Sequence, residues 1–181
     1  MQQVIVHDRR LIGDSPTGSN ITVVPVDAST PLDHMVTRVR RASMRHGTDI
    51  KLNIFAHGRY SGEHGGYGIQ LCREGLLLTT VAKLRPLNGY ISYGIDIYAC
   101  GAAEATPWSV GNSGDGWLLC SRIASHTQSV VRAALLPQTY TEFGGILGLF
   151  RMAIDFGRWE GTVLTFNALG RQIGQQENPN R

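Results

Sequence analysis

The chain has 181 residues, 42% of them hydrophobic and 17% charged, with a formal net charge of +3. That length suits one domain over 1–181 with a sizeable core, and so small a charge gives no reason to expect a nucleic-acid partner. No run approaches the ~18 consecutive apolar residues of a membrane span, no secretory leader is visible, and three cysteines without a CxxC pair argue against a disulfide framework, so a cytoplasmic, reducing setting is expected.

Val4–Val6 predicts a first strand, and Gly13–Asn20 is loop chemistry ahead of a second, Ile21–Val26. Pro25 cannot donate to a ladder, which places that second strand at a sheet edge or near its own end. Thr30-Pro31-Leu32-Asp33 has capping-box form with Thr30 as the cap, and Leu32, Met35, Val36 and Val39 recur at helical spacing until Gly47. Arg38, Arg40 and Arg41 fall on that helix, on a face expected to be solvated. Strand Lys51–Ala56 follows directly, and the order strand–helix–strand builds a parallel sheet. Gly58–Gly68 holds five glycines and is expected to be a mobile loop, closed as a hairpin by Ile69–Cys72. A helix is expected from Thr79 or Thr80, burying Val81 and Leu84 and stopping between Pro86 and Gly89. Strand Ile91–Ala99 comes next, kinked at Gly94, and Ala102–Gly116 is a loop. Ser113 or Asp115 then caps a helix to about His126 that buries Trp117, Leu118, Ile123 and Ala124. Ser129–Leu136 and Glu160–Phe166 read as strands, Phe143–Phe156 fits a helix, a hairpin or a flap, and Gln172–Arg181 is a polar, fraying tail.

Two of these strands end alike: Leu52-Asn-Ile-Phe-Ala-His57-Gly58 and Ile95-Asp-Ile-Tyr-Ala-Cys100-Gly101. Each is an apolar run ending in Ala, then one reactive residue, then Gly. Parallel strands would present both side chains at their carboxyl ends, where open α/β sheets place active sites. A thiol beside an imidazole makes a nucleophile and its base. Backbone amides freed at Gly58 and at the Cys100 turn could hold an oxyanion. Cys72 and Cys120 are read as small buried hydrophobes, and His34, His46, His64 and His126 lack the strand-end setting. A zinc site of His57, His64 and Cys100 has no local ligand-pair spacing. Other chemistries fail at the residue that would do the work: Ser19 replaces the phosphate-loop lysine, Asp115 the last Gly of a nucleophile elbow, and Thr106 the arginine of a Cys-x5-Arg phosphatase loop.

The paired pattern resembles the caspase-like (clan CD) cysteine peptidases, which also include gingipain, clostripain, separase, metacaspases and toxin autoprocessing domains. Caspases carry Q-A-C-[RQG]-G with a histidine about 50 residues upstream. Here Tyr98-Ala99-Cys100-Gly101-Ala102 keeps the central Ala-Cys-Gly, and His57 stands 43 residues before the thiol. Tyr98 and Ala102 depart from the caspase letters, so this is not a caspase proper. The resemblance covers about 51–136. It implies a three-layer sandwich with a mostly parallel central sheet and helices on both faces. It also implies a cysteine endopeptidase acting on protein or peptide substrates, its own chain among the candidates, with no metal or organic cofactor. His57 and Cys100 take the dyad roles, and the Gly58 and Cys100 amides the oxyanion roles. For the side chain preceding the cut bond, Arg59 or Arg132 would favour an acid and Glu104 or Asp115 a base. Two alternatives stay open. One is a non-catalytic caspase-like scaffold or partner-binding module, prompted by the apolar stretch Gly144–Phe150 and by Asp96 in a buried strand. The other is an autoprocessing domain awaiting an anionic activator, prompted by the arginines of 38–45.

Overall fold

The computed structural model describes residues 1–47, 49–61, 66–105, 115–138 and 159–179. Seven strands form the central sheet, in the order β2-β1-β3-β6-β7-β8-β9. They are β1 (Gln2–Asp8), β2 (Ile21–Val26), β3 (Ile50–Phe55), β6 (Ile95–Tyr98), β7 (Val131–Ala134), β8 (Thr162–Phe166) and β9 (Gln172–Glu177). The first five in that order run parallel, and β8 and β9 add antiparallel pairings. A separate antiparallel hairpin, β4 (His57–Ser61) with β5 (Gly66–Gln70), rises from the end of β3. Three helices complete the described structure: α1 (Leu32–His46), a 3-10 helix over Val81–Leu87, and α2 (Gly116–Thr127). The expected α/β class with a mostly parallel sheet is what the chain adopts. Among the described residues no helix is long and apolar enough to cross a membrane.

The consecutive apolar residues Val4–Val6 of β1, Ile54–Phe55 of β3 and Ile97–Tyr98 of β6 suit strands covered on both faces over that stretch. On one face Val4, Val6, Leu52, Ile54, Ile95 and Ile97 share a core with Leu32, Met35 and Val39 of α1, Leu84 of the 3-10 helix, and Leu119 and Ile123 of α2. All three described helices therefore lie on that side. On the other face Ile5, Phe55 and Tyr98 are covered by Leu11 and Trp159. Phe55 stacks on Tyr98 with centroids 4.5 Å apart, and Tyr98 on Trp159 at 4.4 Å. Toward the amino ends of the strands this second face turns polar. There Asp96, 2% exposed, receives Lys51 Nζ at 2.9 Å and Arg132 Nε at 2.7 Å. The acid in a buried strand is thus an ion-paired cross-link between three strands rather than an unsatisfied charge.

The edge position of β2 matches the expectation, whereas the strand expected from Ile91 begins only at Ile95, because Gly94, with φ +90°, turns the chain ahead of β6 instead of kinking it. Other features differ as well. The helix expected at Thr79–Thr80 is a 3-10 helix, although it buries Val81 and Leu84 as the spacing requires. The glycine loop after His57 is strand pairing along its described arms, where Gly58 stands opposite Ile69 and Arg59 opposite Gly68. The helix α2 buries Leu119, Cys120, Ile123, Ala124 and Thr127, a stripe that leaves Trp117 exposed and Leu118 half-buried where both were expected inside. Its phase is set at its start, where Asp115 accepts from Leu118 N–H at 2.8 Å. There Gly116 also packs so tightly that a β-carbon would lie 2.5 Å from the Glu104 carbonyl oxygen. The polar tail contains β9, an exposed edge strand whose glutamines suit a sheet rim. Trp117 serves that rim, donating to Gln172 Oε1 at 2.7 Å. Of the arginines on α1, Arg38 and Arg41 are exposed as expected, Arg38 donating to the Pro25 carbonyl, whereas Arg40 is half-buried over the Tyr90 ring. The segments 106–114 and 139–158, with the expected flap, lie outside the described residues.

The start of α1 also corrects the expected capping box. Pro31 is the flanking residue, and the Thr30 hydroxyl donates to Asp27 at 2.9 Å instead of capping the helix. The first helical amide, of Leu32, is taken by Glu74 Oε2 at 3.0 Å. That amide, aided by the Lys83 ammonium, holds the Glu74 carboxyl down at about 2. The folded value lies below the ~4.3 of a free glutamate, so the cap contributes above that pH and is lost as pH falls toward 2. Glu74→Gln is expected to cost about 1 kcal/mol at pH 7. The cost should shrink below about pH 4 in denaturant melts run against pH.

Candidate active site

The strands β3 and β6 are direct neighbours in parallel register, with Leu52 opposite Ile95 and Phe55 opposite Tyr98. Each then runs one residue further, to Ala56 and Ala99, both fully buried, and the Ala56 amide donates to the Tyr98 carbonyl at 3.3 Å. The next residue on either strand is the first to leave the core. On β3 it is His57, which is exposed, and on β6 it is Cys100, which is half-buried. Both reactive groups therefore stand at one rim of the sheet, on adjacent strands.

The glycine after the histidine is required by close packing. A β-carbon on Gly58 would fall 2.0 Å from the Cys100 carbonyl oxygen and 3.1 Å from Cys100 Cβ. Only a residue without a side chain lets the two backbones approach so closely. The hairpin leaves the Gly58 amide uncommitted. Ile69, its partner, exchanges both of its backbone hydrogen bonds with Leu76. By the alternation of an antiparallel ladder, Gly58 directs its N–H and C=O away from β5. At the second motif Gly101 turns the chain with φ +58°, and its N–H donates to the Leu136 carbonyl at 3.1 Å.

The imidazole and the thiol each bond a backbone group in this structure. His57 Nε2 lies 3.0 Å from the Arg10 carbonyl oxygen. A carbonyl can only accept, so Nε2 carries the proton and Nδ1 is the basic nitrogen. Cys100 Sγ lies 3.5 Å from the Gln138 carbonyl and accepts the Gln138 N–H at 3.4 Å. Gln138 is itself held in place, its side-chain amide donating to the Glu160 carbonyl and accepting the Glu160 N–H, each at 2.9 Å. The group that orients the histidine, illegible in the sequence, is thus the Arg10 main chain, just past β1. The strand order β2-β1-β3-β6-β7 reverses between β1 and β3, the place where open α/β sheets form their ligand crevices. Arg10 and His57 flank that point.

The specificity candidates separate. Arg59 is exposed, with Nη1 lying 3.4 Å from where a β-carbon on Gly75 would be, so its head sits by the turn after β5. Glu104 is half-buried in the turn after Cys100 and holds the Gly116 amide through its carbonyl. Arg132 is paired with Asp96 and Asp115 caps α2, so both already serve the fold. His64 lies outside the described residues. The other two thiols are buried, as expected of structural cysteines. Burial, helped by nearby Asp8, pushes Cys72 up to about 12, and burial likewise raises Cys120. A thiol reagent on the native protein is therefore expected to modify Cys100 first, with Cys72 and Cys120 following only in denaturant, as mass spectrometry would count. No protein-family model matches this chain, and a search of curated proteins finds no match.

Proposed function

We propose that this chain is a cysteine endopeptidase of the caspase-like kind, built as a three-layer sandwich and acting through Cys100 and His57. The observation that carries the reading is the level ending of β3 and β6, with Gly58 packed against the Cys100 backbone. Cys100 sulfur attacks the carbonyl carbon of the scissile bond after giving its proton to His57 Nδ1. The Gly58 and Cys100 amides hold the negative oxygen of the tetrahedral intermediate. His57 returns the proton to the leaving amine, and an acyl-thioester remains on Cys100. Water then attacks the thioester with His57 as base, releasing the acid and restoring the thiol. No metal or organic cofactor enters these steps. The substrate is a protein or peptide in a cytoplasmic setting, with Arg59 and Glu104 as the candidate contacts to the residue before the cut.

The test is incubation of the chain with a mixed peptide library, with cut sites mapped by mass spectrometry. Cuts sharing a preference, and missing with Cys100→Ala, are expected. No cuts, or cuts that persist with Cys100→Ala, would leave a non-catalytic partner-binding module as the better reading.

A further inference from the structure

Beneath the rim lies an ion pair, its carboxylate buried and its guanidinium half-buried, that the proposed chemistry does not use. Asp8, the last residue of β1, has no exposed surface. Its carboxylate collects four donors. Oδ1 accepts the Arg10 amide at 3.1 Å and Arg10 Nε at 2.8 Å, and Oδ2 accepts Arg10 Nη2 at 2.6 Å and the Cys72 amide at 2.9 Å. The same Nη2 reaches on to the Cys72 carbonyl at 2.7 Å and the Gln70 carbonyl at 3.2 Å. Cys72 has φ +60°, a left-handed conformation that costs a residue with a β-carbon about 1–3 kcal/mol. It persists because its amide and its carbonyl are both gripped by this pair.

The grip reaches His57 from two directions. The Arg10 carbonyl meets the imidazole at Nε2, and the Arg10 guanidinium holds Gln70, the residue opposite His57 in the hairpin ladder. We infer that the Asp8–Arg10 pair is a positioning device: it sets the Arg10 carbonyl against Nε2 and so holds His57 in the tautomer with Nδ1 free. The use of that tautomer rests on the dyad reading above, but the positioning itself does not. A bidentate fork between a carboxylate and two carbonyls is a task for arginine, since a lysine ammonium cannot hold them together in one plane.

The test is 15N NMR of the His57 ring, with the rate of Cys100 alkylation by iodoacetamide followed against pH. In the wild-type protein the ring is expected as the Nε2–H tautomer. In Arg10→Lys, folded by circular dichroism, both tautomers should appear, with alkylation near pH 7 slowed about 10- to 100-fold. Above about pH 10, where thiols ionise unaided, the two proteins should react alike. Asp8→Asn, which keeps the shape but loses the charge, should give the same pattern. A wild-type ring protonated at Nδ1 overturns the inference without any variant, as does an unchanged tautomer in either folded variant. Failure of the dyad reading looks different: His57→Ala would then leave the alkylation profile unchanged, whatever the tautomer.

Discussion

Replacing His57 by alanine is expected to lower peptide cleavage by about 10²- to 10⁴-fold, the range for loss of a positioned general base. Cys100→Ala should lower it to background, because no other described thiol stands at the rim. The loss in His57→Ala cannot be ascribed to unfolding. His57 is exposed and its imidazole bonds the Arg10 carbonyl, so its removal should change stability by no more than about 0.5 kcal/mol. A double variant should be no worse than Cys100→Ala alone, since base and nucleophile act as one unit. Cleavage rates measured beside thermal melts check this. A His57→Ala protein that cuts at the wild-type rate contradicts the assignment of the base.

Gly58→Ala is the second substitution with a large expected effect, and it works through the backbone. The new β-carbon would need to occupy space 2.0 Å from the Cys100 carbonyl oxygen and 2.9 Å from its carbon. Neither atom belongs to a flexible side chain, so β4 and the Cys100 turn must separate. Overpacking of this sort costs about 1–3 kcal/mol. Moving the imidazole and the Gly58 amide by an ångström relative to the sulfur should lower cleavage about 10²-fold. Gly174→Ala on β9 is the control. A β-carbon there meets Thr165 at an ordinary 3.5 Å, and both stability and cleavage should stay near wild type. Denaturant melts and cleavage rates on the two variants separate strain at the site from any cost of removing a glycine.

The parts of this molecule that were legible in its sequence are those fixed by local pattern. The apolar runs before His57 and Cys100, each closed by Ala and with Gly just past the reactive residue, placed two strand ends correctly because burial and turn chemistry act within a few residues. The spacing of Leu32, Met35, Val36 and Val39 found the inner face of α1 for the same reason. What escaped depends on distant partners. The cap of α1 comes from Glu74, 42 residues away, and a capping box read locally cannot see it. The phase of α2 follows from Gly116 lying on the Ala102 and Glu104 carbonyls. The polar composition of 172–177 looked like tail, yet an edge strand needs only one partner and tolerates exposed side chains. At the site, His57 reaches Arg10 across 47 residues and Cys100 reaches Gln138 across 38. Asp8 and Arg10, charged residues at and just past the end of a buried strand, were the one signal that could have been followed.

The claim beneath all of this is that one bond can be reached by sulfur and imidazole together. Treatment with 1,3-dibromoacetone, which alkylates a thiol and then a second nucleophile within a few ångströms, tests that directly. Peptide mapping is expected to find Cys100 and His57 joined through the three-carbon bridge. A reagent attached to Cys100 alone, or a bridge from Cys100 to some other residue, would contradict the account.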